Sequence, residues 1–313
     1  MFQQFLTTLN ILYPVFVYMG LGKLIKKRNL INDSIVESLN RILFRVLLPI
    51  KLYVEIIQSD FESVFNPKLI IFAIISIISI MIISIFIIPR MIHKKKNIPV
   101  IVQSMYRSNY IMYGIAIASI MYPGKDLGVI TVIASFTVPL FNLISVIVFE
   151  IFNGNDIEIK LILKKIISNN IVKAGCLGLI TVAMGISFPK NILSPFIIIG
   201  NCSTPIGLIC IGTMISFKAL NKYKKELFIM SIGRLIIVPL ILVPIGIILG
   251  FRNTELSAIY ILFAGPIATS SCPMAYEMGG NGELAGVAVA VTSTLVLITM
   301  FFGIFILKAL YLI

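Results

Sequence analysis

Ile98-Pro-Val-Ile-Val-Gln-Ser-Met-Tyr-Arg107-Ser108-Asn109-Tyr110-Ile-Met-Tyr113-Gly114-Ile-Ala-Ile-Ala-Ser-Ile-Met121 is the stretch that decides the reading of this chain. At about 1.5 Å per residue it can cross a hydrocarbon layer of about 30 Å. Both ends are apolar, yet the middle holds a guanidinium, a hydroxyl, a carboxamide and a glycine. No lipid-facing helix looks like this, because polar side chains at membrane depth face a cavity or another helix. Ser108, Asn109 and Gly114 can support a local unwinding. The N-termini of the resulting half-helices carry partial positive charge and attract anions. Arg107 adds a full cation whose fork geometry suits a carboxylate.

A second stretch matches it: Ala264-Gly-Pro266-Ile-Ala-Thr269-Ser270-Ser-Cys-Pro273. Its two prolines each remove a backbone N–H and flank a Ser/Thr cluster. The stretches are followed by Met121-Tyr-Pro-Gly-Lys-Asp-Leu-Gly128 and Glu277-Met-Gly-Gly-Asn-Gly-Glu-Leu-Ala-Gly286, and each leads into a long apolar run. Leu47-Leu-Pro49 and Ser203-Thr-Pro205 form a further pair. Small hydroxyl residues and glycines also mediate helix packing. Paired interruptions at matching positions favour a binding site. The candidate substrate-binding residues are therefore Arg107, Ser108, Asn109, Tyr113, Gly114, Pro266, Thr269 and Ser270, with Pro49 and Pro205 at the second pair of breaks. Arg107 stands either in this site or at the cytoplasmic interface. Arg107 and Arg234 are the cations hardest to place at a run end, Arg234 standing either in the interior or one turn into its own run, whereas Arg41 and Lys51 fall near run ends, where long cations snorkel.

Composition sets the class. The chain is 58% hydrophobic and 12% charged, against about 45–50% and about 25% in soluble domains. So few charges could not cover the surface of a soluble protein of this length, whereas lipid solvates apolar side chains directly. Ten apolar runs follow: 5–24, 35–57, 69–88, 98–121, 127–149, 171–187, 192–215, 227–249, 256–276 and 284–307. Backbone groups in lipid must be satisfied internally, so each run is expected to be a helix.

The net charge of +13 would suggest nucleic acid in a soluble protein. Here it reports topology instead. Lys23, Lys26, Lys27, Arg28, Arg90, Lys94, Lys95, Lys96, Lys160, Lys164, Lys165, Lys173, Lys218, Lys222, Lys224 and Lys225 fall on alternate connections. They make roughly 16 cations on one side against roughly five on the other, which places the basic side in the cytoplasm and both termini outside. The other side holds Lys68, Lys125, Lys190, Arg252 and Lys308. The expected location is the cell membrane, multi-pass.

The polar stretch 151–170 separates five runs from five. An odd number per half inverts the second half relative to the first. The expected fold is an all-α membrane protein of ten transmembrane helices in two inverted five-helix repeats, 1–150 and 171–313, joined by a cytoplasmic linker. Helices four and nine are expected to be discontinuous.

Several chemistries drop out. Cys176, Cys202, Cys210 and Cys272 lie singly in apolar runs and form no CxxC pair. The single histidine, His93, sits in a basic loop, so no His-based metal site or catalytic triad is available. No cofactor fingerprint and no catalytic constellation appears, which argues against an enzyme. The N-terminus has neither the basic region nor the cleavage site of a signal peptide, so the first run is expected to be retained as a helix.

At these same residues the chain resembles the auxin efflux carrier family of plant carriers and bacterial permeases. Ser108-Asn109-Tyr-Ile-Met-Tyr-Gly114 followed by Met121-Tyr122 is similar to the family's fourth-helix pattern. Leu39-Asn40-Arg41 with Leu48-Pro49, Pro205-Ile-Gly-Leu208 with Gly212, and Gly265-Pro266 with Ala275-Tyr276-Glu277 resemble its second, seventh and ninth helices. The resemblance covers essentially the whole chain. It implies a scaffold domain and a transport domain, a crossing of helices four and nine at the substrate site, and a homodimer. Asn109 would be the substrate-site asparagine and Pro266 the second crossover proline.

The departures are Ser108 and Ala116 where members carry proline, and a third helix without the carboxylate of the plant carriers. The nearest carboxylates are Glu55 and Glu277. The expected function is alternating-access transport of an organic carboxylate anion, of the auxin-like or malate/malonate type, with no cofactor and no nucleic-acid partner. The alternatives are a sodium- or proton-coupled exchanger of related fold, and a membrane receptor or enzyme.

Overall fold

The computed structural model describes residues 2–58, 65–122, 127–153, 170–214 and 221–313. Lys125, Lys160, Lys164, Lys165 and Lys218 lie outside the described residues, as does most of the 151–170 linker. So do the side chains of Glu55 and Glu277. Among the described residues the chain is helical throughout and contains no strand.

In chain order the helices are α1 Phe2–Lys27, α2 Asp33–Ile42, α3 Leu48–Gln58, α4 Pro67–Met91, α5 Ile98–Tyr106, α6 Ile115–Met121, α7 Gly128–Asn153 and α8 Asn170–Ala183. They continue with α9 Lys190–Asn201, α10 Ser203–Met214, α11 Lys224–Ile232, α12 Val238–Ile248, α13 Asn253–Ala264, α14 Ser271–Glu277 and α15 Gly282–Ala309. Five helical stretches are long and apolar enough to cross a membrane: Pro67–Met91, Gly128–Asn153, Asn191–Cys210, Lys224–Ile248 and Gly282–Ala309.

Local chemistry sets the ends. Asn66 caps α4 by accepting from Leu69 N at 3.2 Å, and Pro67 occupies the first turn, where no N–H is needed. Asn281 caps α15 in the same way, from Leu284 N at 3.0 Å. The apolar run 171–187 is helical only to Ala183, because Gly185 at φ +65° turns the chain out of the helix, as glycine does at helix C-termini.

Pro49 and Pro205 do not break their runs in the expected way. A π-helical turn at Leu43–Leu47 precedes Pro49, and α3 runs through it. Pro205 lies in the first turn of α10, just beyond a small irregularity at Cys202. Both prolines therefore follow a local change of helical register.

The packing is inside-out relative to a soluble protein. Ile71, Ile75, Ile82 and Phe86 form an exposed stripe along α4. Meanwhile Gln103, Arg107, Asn109, Thr131, Ser145, Arg234 and Thr292 are buried. Lys51, expected to snorkel, is instead 4% exposed and donates to Thr204 Oγ1 at 3.2 Å, because α3 packs closely on α9 beside the start of α10.

The closest helix pair is α1 with α10. A methyl group on Gly22 would collide with the carbonyl of Ile209, and one on Gly212 with the carbonyl of Met19. Such small-residue contacts let backbones approach where lipid supplies no hydrophobic drive. At the end bearing Lys94–Lys96, Asn97 donates to Glu226, Asn281 donates to Asn97, and Tyr223 donates to Glu283. This network ties three connections together.

Two expectations follow. Gly212→Val forces α1 from α10 and destabilises by about 1–3 kcal/mol or more, which a thermal melt in detergent measures. The Lys222 ammonium, with the Tyr223 hydroxyl, holds the Glu283 carboxyl below its ordinary range. A carboxyl with a depressed folded pKa contributes stability that is full above its unfolded value of about 4.3 and is lost as pH falls through the lower folded value. The melting-temperature gap between wild type and Glu283→Gln, open at neutral pH, therefore closes on acidification through that range.

Candidate functional site

The two stretches that opened the sequence reading meet at the centre of the molecule. After α5 the chain leaves helical geometry at Arg107 (φ −86°, ψ 98°) and resumes a helical path at Tyr110 through a π-helical turn to Gly114. After α13 it leaves at Gly265 (φ −63°, ψ 155°) and resumes at Ser271. Pro266 explains the second break, since a residue before proline is pushed from the helical region. The first break has no proline and is held by the second. Asn109 N donates to Pro266 O at 2.8 Å and Ala268 N to Arg107 O at 3.3 Å, around an antiparallel bridge of Ser108 with Ile267. Ile267 N is satisfied by Thr292 Oγ1 of α15 at 3.2 Å.

Arg107 is 5% exposed, so its guanidinium is buried within the protein. Its Nη2 donates to Asn142 Oδ1 at 2.7 Å and Ser270 Oγ at 3.0 Å. Its Nη1 donates to Ser145 Oγ at 3.2 Å and Met274 Sδ at 2.6 Å. Ser145 also pairs with the Tyr106 hydroxyl at 3.1 Å. Every acceptor is neutral, and among the described residues no carboxylate reaches this guanidinium.

Beside it lies a cavity of about 90 Å³. Arg107, Ser108, Asn109, Tyr110, Asn142 and Ser270 line it, with Val138 and Phe141 as apolar wall. The Ser108 and Thr269 hydroxyls are buried without a protein partner.

Of the residues singled out in the sequence, Arg107, Ser108, Asn109 and Ser270 converge on this cavity. Pro266 serves through its backbone carbonyl, and Thr269 is buried next to Ser270 but does not line the cavity. Tyr113 points elsewhere, donating to Met19 Sδ at 2.9 Å and Ser293 O at 3.0 Å. Gly114 serves packing: a Cβ there would meet Ile261 Cγ2 at 3.1 Å. Pro49 lines a separate apolar groove of about 560 Å³ with Tyr53, Leu177 and Phe196, and Pro205 lines neither space.

Asn142, Ser145 and Met274 were missed. Asn142 and Ser145, three apart in a mostly apolar run, share one helix face. That spacing was the available signal.

Apolar helices outside and a polar, cationic crossing inside are the pattern of a multi-pass membrane protein. Residues 8–308 match the family described as membrane transport protein, and the chain belongs to this auxin efflux carrier family. It is a membrane transporter by family. No curated protein matches the sequence.

Asn142→Leu removes one of two acceptors from Arg107 Nη2 and leaves a buried charge underbonded. The expected cost is about 1.5–3 kcal/mol, seen as a lowered melting temperature in detergent, with Asn142→Asp recovering most of it.

Proposed function

We propose that the protein is a secondary transporter that carries an organic carboxylate anion across the cell membrane by alternating access, with its substrate site at the crossing. The observation that carries this reading is Arg107, a buried guanidinium with only neutral acceptors beside a polar cavity. A buried cation of this kind is matched by an anion. The Asn142 amide, the Ser145 and Ser270 hydroxyls and the Met274 thioether hold the fork in the substrate's absence. Ser108 and Asn109 supply further polar groups to the same space. A space of about 90 Å³ takes the carboxylate end of a small acid. The helical segment beginning at Tyr110 adds the positive end of its dipole.

The ten-span, inverted-repeat architecture, with halves 1–150 and 171–313, belongs to the same proposal. Its support is the pattern of neighbours. Exchanging the first five runs for the second five turns the α1–α10 pair into the α8–α3 pair and the α4–α5 pair into the α12–α13 pair. The crossing pairs with itself under the same exchange, through the antiparallel bridge. The basic connections then face the cytoplasm and both termini face outward.

Uptake of labelled malate, malonate and an aromatic weak acid into proteoliposomes tests the reading. At least one acid should accumulate above protein-free vesicles. Arg107→Met should cut its uptake about tenfold or more, the value of one lost charge-assisted bond. Asn109→Ala with all transport intact would sink the site, and no transport of any acid would sink the function.

A further inference from the structure

The crossing holds a second buried guanidinium, and its partners differ in kind from those of Arg107. Arg234 is 0% exposed. Its Nε donates to Gly265 O at 2.9 Å and its Nη2 to Leu262 O at 2.6 Å. Its Nη1 donates to Met105 O at 2.9 Å and Tyr106 O at 3.3 Å. All four acceptors are backbone carbonyls, two from the end of α5 and two from the end of α13.

These are the carbonyls the two breaks release. Leu262 O would accept from the residue four on, which is Pro266 and has no N–H. Met105 O would accept from Asn109 N, which is committed to Pro266 O across the crossing. The negative ends of two half-helices thus converge on one point. Arg234 reaches it from a π-helical turn, Gly233–Ile237. Gly233 permits the approach, because a Cβ there would lie 2.6 Å from Met105 Sδ.

Carbonyls freed at the ends of broken helices are the oxygen ligands that hold coupling cations in inverted-repeat transporters. Here the same chemistry is satisfied by a covalently attached cation. We propose that Arg234 is a built-in substitute for a coupling metal cation: its guanidinium occupies a carbonyl cage that, once emptied, takes a small monovalent cation, and the wild-type protein works without sodium or potassium. The coupling part rests on the crossing being a transport site; the cage itself does not.

Arg234 is a positioning residue for the crossing, so the first readout is stability of the full chain and not transport. Wild type, Arg234→Ala, Arg234→Lys and Arg234→Met are purified in detergent and melted in sodium, potassium or N-methyl-D-glucamine chloride at equal ionic strength, with and without millimolar guanidinium. The expected wild-type melting temperature is the same in every salt. Arg234→Ala should melt lower, and should recover with guanidinium, sodium or potassium but not with the bulky organic cation.

Wild type stabilised by sodium over N-methyl-D-glucamine overturns the proposal. So does an Arg234→Ala protein indifferent to every cation. Should the alanine variant fail to fold, the comparison of Lys with Met decides. Folding retained by Lys and lost by Met supports a resident charge, and equal behaviour of the two overturns it. Transport by wild type is then measured with sodium and potassium absent from both sides. Transport that requires either ion overturns this inference while leaving the anion site standing. Absence of any transport strikes the anion site and leaves the melting results to decide the cage.

Discussion

A chain that breaks a helix inside lipid must find new partners for the freed backbone groups, and the crossing of the two broken helices is organised by that constraint. Each unsatisfied group in hydrocarbon costs several kcal/mol. The solution here is reciprocal. Asn109 N and Pro266 O satisfy each other, as do Ala268 N and Arg107 O, while Thr292 accepts from Ile267 N and Arg234 donates to the carbonyls of Gly265, Leu262, Met105 and Tyr106. This is why a proline is needed in only one of the two breaks: Gly265–Pro266 sets an extended segment by covalent geometry, and that segment templates Arg107–Asn109 through hydrogen bonds.

The sequence carried the membrane class and the position of both breaks, because composition and interrupted apolar runs are one-dimensional signals. Arg107, Ser108, Asn109 and Ser270 were legible for the same reason: each sits at or beside a break, where the chain has no other use for a polar group. Tyr113 was not, since one turn of helix separates facing the cavity from facing Met19, and a π-helical turn at Tyr110–Gly114 rotates that turn. Pro49 and Pro205 stand away from the cavity at the crossing, each just after a change of helical register, which proline in a membrane helix marks as readily as a site. Lys51 shows the limit of counting residues from a run's end. Depth is set by the neighbouring helices, and α9 and α10 close over it.

The two buried arginines are alike in burial and opposite in consequence. Arg234 is bound by carbonyls, and a carbonyl is fixed by the helix that presents it. It cannot turn away to let another ligand in, so its complement is permanent. Arg107 is bound by Asn142, Ser145 and Ser270 side chains and by the Met274 thioether, and each can rotate about its own bonds. A carboxylate that replaces an amide or hydroxyl at the guanidinium turns a bond between a charge and a dipole into one between opposite charges, with bidentate geometry available to it. On the proposed function, that gain is what binds the carboxylate, and the Asn142 amide and the Ser145 and Ser270 hydroxyls it displaces have protons to donate to it.

The same contrast bears on what can move. A site that opens alternately to two faces must keep its crossing intact while the surrounding contacts change. Arg234 ties the π-helical turn between α11 and α12 to the ends of both α5 and α13 through bonds that involve no side chain except its own. The α1–α10 contact is of another kind. Backbone touches backbone at Gly22 and Gly212 with no charge between them. A small-residue seam of this sort locks two helices against each other. The molecule thus holds two kinds of close contact, one built on a buried cation and one on close backbone approach; if transport proceeds by alternating access as proposed, side-chain contacts between them, such as the Tyr113 hydroxyl on Met19, are the ones free to change.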